Sequence, residues 1–83
     1  MDDQDDYILW AGNLEDKVTE ELLYELFLQA GPLDYVKKPK EKNFAFICFK
    51  HKESVKYAMK LFEGKFQKIR LVILWARNFF AIF

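Results

Sequence analysis

Eight consecutive residues, Lys42-Asn43-Phe44-Ala45-Phe46-Ile47-Cys48-Phe49, alternate with the period of two that marks an extended strand. Lys42, Phe44, Phe46 and Cys48 fall on one side of that strand, and Ala45, Ile47 and Phe49 on the other. Only one side can meet a core. The small and aliphatic set with Phe49 suits it, which leaves a lysine and two phenylalanines facing outward. The same logic in Ile8-Leu9-Trp10-Ala11 turns Leu9 and Ala11 inward, Ile8 and Trp10 outward. Rings held on a strand surface do non-covalent chemistry: they stack on planar π systems, and an ammonium at their border attracts an anion. The competing reading makes Trp10, Phe44 and Phe46 strand-forming rings of the core.

A second group of charges lies close by. Lys37, Lys38 and Lys40, with Lys42, form a basic edge around a short connection, where phosphate contacts would add salt-dependent affinity. The plainer reading of such a cluster is a solvated loop. Cys48 and His51 are the chain's lone cysteine and lone histidine, and without a third ligand they fall short of a metal site or an activated nucleophile. No glycine loop of the kind that cradles phosphate is present, and no pair of carboxylates stands at a catalytic spacing. Neither catalysis, cofactor nor metal is expected.

Composition bounds the setting. A chain of 83 residues has room for one small domain, and 52% hydrophobic with 31% charged residues argues against disorder. Nine Phe, four Tyr and two Trp are more rings than so small a core hides, which agrees with an outward aromatic surface. The 13 basic and 13 acidic residues cancel, but Asp2, Asp3, Asp5 and Asp6 crowd the start, so the rest of the chain is basic. Residues 1–6 read as an acidic, disordered leader, with screening of the basic face a weaker alternative. A single cysteine permits no internal disulfide and points to a reducing, intracellular compartment. No apolar run approaches the roughly 18 residues that span a bilayer, and the acidic start is unlike a signal peptide. A membrane partner is not expected.

The residues around these rings define the elements that must position them. Tyr7 to Ala11 reads as a first strand, stopped by Gly12-Asn13-Leu14. Thr19 opens a helix with Glu20 and Glu21 at its positive end and Leu23, Leu26, Phe27 and Ala30 on one stripe, ended by Gly31-Pro32. Leu33 to Lys38 is a second strand, Pro39 to Glu41 a short connection, and Asn43 to Lys50 the third strand. A second helix follows His51, with Ser54 near its start, Val55, Ala58, Met59 and Phe62 on its stripe, and Gly64 closing it. Leu71 to Trp75 is a last strand. The order βαββαβ predicts an α+β, ferredoxin-like sandwich: a four-stranded antiparallel sheet with two helices on one face and the other face open.

At this level the chain resembles the RNA-recognition-motif family. Lys42 to Phe49 is similar to that family's first ribonucleoprotein signature except at Asn43, where the family has glycine. Leu9-Trp10-Ala11-Gly12-Asn13-Leu14 resembles the second signature, with Trp10 in place of Phe or Tyr and Ala11 in place of a larger aliphatic. Asn13-Leu14-Glu15, the run Leu23 to Leu33, and Phe49-Lys50-His51 with Glu53-Ser54-Val55 resemble the branch formed by RNA-binding motif proteins seven and eleven. The resemblance covers about residues 7 to 77, which sets the expected domain between the leader and an apolar tail at 78–83. In that branch the connection between the second and third strands is longer, the last strand less apolar, and Ile69-Arg70 stands where Gly-Arg is usual.

The resemblance implies binding of single-stranded RNA on the open sheet, in nuclear RNA processing or splicing, with no DNA partner. Trp10 and Phe44 would each stack a base, Phe46 pack on sugars, and Lys42 pair with a phosphate. Asn13, Lys38 and Lys40 would border the site. Counting from Arg70 turns Ile73, Trp75 and Arg77 outward, with Trp75 beside Trp10; a one-residue slip would put Trp75 in the core instead. Acylphosphatases share the topology, but Gly12 to Asp16 lacks the arginine-bearing loop they use. The main rival is a protein-interaction or self-associating module, favoured by zero net charge, Trp75 and the tail Asn78 to Phe83. A protein could dock on the helical face or on that tail, and the tail could also fold over the sheet and compete with RNA.

Overall fold

The computed structural model describes residues 4–62 and 72–75, of which residues 4, 5 and 72–75 are described by their backbone. One turn of 3-10 helix, Gln4–Tyr7, leads into strand β1, Ile8–Gly12. Helix α1, Glu20–Phe27, passes into a 3-10 turn at Leu28–Ala30. Strands β2, Leu33–Lys37, and β3, Ala45–Phe49, precede helix α2, Lys52–Phe62, and strand β4, Val72–Trp75. The strands are antiparallel, in the order β2-β3-β1-β4.

Gln4 to Asp6, the last residues of the acidic leader, belong to the 3-10 turn. Tyr7, expected in the strand, belongs there too.

Local signals explain where the helices start and stop. Thr19 is extended and its hydroxyl accepts from the Leu22 N–H at 3.1 Å, satisfying one of the free donors of the first turn of α1. Glu20 and Glu21 add negative charge where the helix dipole is positive. Glu20 does more: its carboxylate accepts from the Lys38 backbone N–H at 2.7 Å and so ties the helix start to the end of β2. The chain leaves the following 3-10 turn through Gly31, whose φ of 152° is a conformation that favours glycine. A side chain there would also overlap the Ser54 hydroxyl in the first turns of α2, so Gly31 lets the two helical segments approach.

The core lies between the helices and one side of the sheet. Leu9 and Ala11 of β1 and Ala45, Ile47 and Phe49 of β3 are sealed under Leu23 and Phe27 of α1 and Val55, Ala58 and Phe62 of α2. Phe27 and Phe62 meet edge to face with ring centroids 4.8 Å apart. Each fully buried large side chain contributes about 1.5 to 3 kcal/mol of transfer free energy. Leu26 and Met59, the less central members of each helical stripe, pack at the edge of this cluster.

Strand β2 departs from simple alternation. Leu33 pairs with Phe49 and Tyr35 with Cys48, so two steps along β2 match one step along β3 and Asp34 is the extra residue of a bulge. Beyond it, Val36 pairs with Ile47 and Lys37 with Phe46. Leu33 and Val36 therefore share the core side, although they are three residues apart, while Tyr35 and Lys37 share the opposite side.

Candidate nucleic-acid interface

The side of the sheet away from the helices is built in two rows by strand pairing. Ile8, Cys48 and Tyr35 are register partners across β1, β3 and β2, and so are Trp10, Phe46 and Lys37. Phe44, immediately before β3, extends this surface. Trp10, Phe44 and Phe46 are half-buried, whereas Leu9, Ala11, Ala45, Ile47 and Phe49 on the reverse are buried.

These three rings form one cluster. Trp10 and Phe44 lie with centroids 6.2 Å apart and planes 25° from parallel. Phe44 and Phe46 stand edge to face at 5.8 Å. The indole leans along β1 over Gly12: a Cβ at position 12 would overlap its six-membered ring. Glycine is what lets the ring lie against the strand, the close approach that a glycine inside a strand allows. The Leu14 N–H donates to the Asn43 carbonyl at 2.9 Å and holds the segment after β1 beside the approach to Phe44. Asn13, exposed and left-handed at φ 58°, turns the chain out of β1 at the edge of the cluster.

The lysines are distributed around this cluster. The β2–β3 connection closes with the Lys42 N–H donating to the Pro39 carbonyl at 3.2 Å. Glu41 takes a φ of 62° in that turn. Lys40 and Lys42 are exposed on it. Lys38 is half-buried and is held through its backbone by Glu20, while Lys37 is exposed and opposite Phe46. Lys37 is thus the member of the basic edge paired in register with a ring of the cluster.

The pairing of β4 follows the second of the two registers considered for the last strand. Trp75 stands opposite Leu9, and Leu74 opposite Trp10. The Leu74 position, not that of Trp75, is therefore on the Trp10 side of the pleat, because a slip of one residue reverses every position. Arg77 and the tail 78–83 lie outside the described residues.

Sequence reading missed Tyr35, the facing of Lys37 and the role of Gly12. Tyr35 and Lys37 reach the open side only through the bulge at Asp34, and Gly12 looked like a strand stop, not the bed of the indole. The glycine within an aromatic strand was a usable signal. Electrostatically, burial raises the Cys48 thiol above its ordinary pKa, and the nearby Asp34 adds to this. Burial likewise raises Tyr35, with Cys48 beside it contributing. Both groups therefore stay neutral at physiological pH and leave the positive charge of the lysines uncompensated by this pair. Among the described residues, no three of His, Cys, Asp and Glu come together as metal ligands.

Among the described residues, then, the sheet carries aromatic rings on the side that no helix covers, with lysines at one border. Residues 9–72 match the family model described as RNA recognition motif, and the chain belongs to that family. Human RNA-binding protein 7 is 59% identical over 64 residues, covering 71% of this chain and 24% of that protein. Human Splicing regulator RBM11 is 55% identical over the same length, covering 71% of this chain and 23% of its own. Human Splicing factor 3B subunit 4 is more distant, 39% identical over 62 residues, covering 68% of this chain and 15% of that protein. The chain thus spans about a quarter of the length of the first two relatives. Among solved structures, the C-terminal RNA recognition motif of hypothetical RNA-binding protein RBM19 superposes with a TM-score of 0.76 at 24% identity, covering 90% of this chain and 78% of that one, a likeness of fold. RNA Binding Protein PG1 gives 0.70 at 25% identity, covering 82% and 90%.

Proposed function

We propose that this chain binds single-stranded RNA on the open side of a four-stranded sheet, by stacking bases on Trp10 and Phe44 and packing sugars against Phe46. The observation that carries this is the cluster of those three half-buried rings on the side that no helix among the described residues covers. A base offers a π face whatever its identity, and stacking on an aromatic ring is worth about 1 to 3 kcal/mol per base. Lys42 and Lys40, exposed on the β2–β3 turn, supply phosphate contacts, with Asn13 exposed next to the segment that Asn43 holds. The names of the relatives, an RNA-binding protein and splicing proteins, favour a nuclear role in RNA processing for the protein that carries this domain. The chain acts in this reading as a binding module and not as an enzyme.

Titration of labelled single-stranded RNA at two salt concentrations tests the assignment. Binding that weakens with salt and falls roughly 5- to 100-fold in Phe44→Ala supports it. Indifference to RNA, with dimers forming as concentration rises, overturns it in favour of a self-associating module. Protein docking has support of its own on the helical side, where Leu22 (51% exposed) and Leu28 (45%), with Tyr57 (55%), are left in water. The two activities use opposite sides of the sandwich and are compatible.

A further inference from the structure

We infer that Tyr35 and Lys37 form an additional nucleotide subsite on β2, next to the three-ring cluster; this rests on the RNA-binding reading and extends the site by a strand. Straight alternation from the buried Leu33 would turn Tyr35 into the core and Asp34 and Val36 outward. The extra residue Asp34 reverses this, and Tyr35 emerges on the open side as register partner of Cys48, with Lys37 as partner of Phe46.

The placement suits a nucleotide. Tyr35 is 42% exposed, so much of its ring is available to a ligand without any rearrangement. Tyr35 and Phe46 are diagonal neighbours across β2 and β3, a relation that sets residues about 7 to 8 Å apart. A nucleotide whose sugar rests on Phe46 therefore has its chain neighbour within reach of Tyr35. The buried Cys48 lies between Tyr35 and Ile8 in the row. The Tyr35 hydroxyl is within hydrogen-bonding reach of the Cys48 thiol. Lys37 is exposed, two residues along the same strand and on the same side, placed for the phosphate that joins the two nucleotides.

A purely structural role for Tyr35, capping the Cys48 thiol with its ring and hydroxyl, would leave RNA affinity untouched. The two roles separate in a titration of the full 83-residue chain with oligouridines of two and of six residues, followed by fluorescence anisotropy. The subsite requires that Tyr35→Ala weaken the hexamer roughly 5- to 100-fold while changing the dimer little, and that Tyr35→Phe, which retains the ring, bind like the parent. It also requires that Lys37→Gln lower the salt dependence by about one phosphate contact for the hexamer alone. Amide spectra of each variant check that the sheet is intact. A hexamer that binds Tyr35→Ala as tightly as the parent, while Phe44→Ala loses affinity for both lengths, overturns the subsite and leaves the main site standing. Failure of the parent chain to bind either oligomer overturns both.

Discussion

The two sides of β3 are made of nearly the same material and do different work. Toward the helices, Phe49 is sealed beside Ile47 and Ala45; on the reverse, Phe46 is half-buried beside Phe44, with Trp10 across the strand boundary. What separates Phe49 from Phe46 is not hydrophobicity but whether a helix lies over it. The comparison teaches that an apolar ring on a strand is a folding residue or a binding residue according to the layer that covers it. A chain with rings on both sides of a sheet needs the helical layer on one side to fold, and needs the other side open to bind.

Truncating one ring on each side of β3 should separate the two roles. Phe49→Ala should cost about 3 to 5 kcal/mol in urea unfolding, a large share of the stability of a domain this small, because the cavity left in the core is not refilled. Phe46→Ala should cost less than half of that while weakening RNA. Equal losses of stability would show that the open side is a second core.

Gly12→Ala sharpens the comparison on the binding side, since the added methyl group must displace the Trp10 indole. Overpacking predicts a loss of about 1 to 3 kcal/mol, together with a shift of the Trp10 indole N–H resonance and weaker RNA binding. An unmoved indole signal would mean that the ring does not rest on Gly12. At the β2–β3 turn the effect is smaller and of opposite sign. Glu41 carries a φ of 62° that glycine adopts freely, so Glu41→Gly should raise stability by about 0.5 to 1 kcal/mol, read as a higher urea midpoint.

The smallest effect concerns Cys48. Its thiol is raised from 9.0 by burial, so the folded chain holds that proton more tightly than the unfolded chain. The resulting stability is fully present below about pH 9 and is lost as pH rises through the folded value. In Cys48→Ala this part of the alkaline decline should vanish, as pH-dependent urea midpoints would reveal. The parent thiol should also react more slowly with an alkylating reagent when folded than when unfolded.

The facing of β1 and β3 was legible because neither strand carries an extra residue and their mutual pairing runs without a register shift from Ile8 to Ala11 and from Ala45 to Cys48. The helix signals were local and equally readable: the Thr19 cap, the two apolar stripes and the exit at Gly31. The ends of elements were less so. Helix α1 tightens into a 3-10 turn at Leu28, and the final leader residues coil against the start of the sheet.

Periodicity within a few residues of chain was enough to show which residues could form a core, the order of the elements, and which two strands carry the rings. Tertiary structure alone decided the facing of β2, the register of β4 and the bed of the indole. These depend on pairing between distant segments: the Asp34 bulge is defined only against β3, Trp75 is placed only against Leu9, and Gly12 matters only because a neighbouring ring lies down on it. One unpaired residue reverses every side chain beyond it, and alternation within a single strand carries no information about its partner.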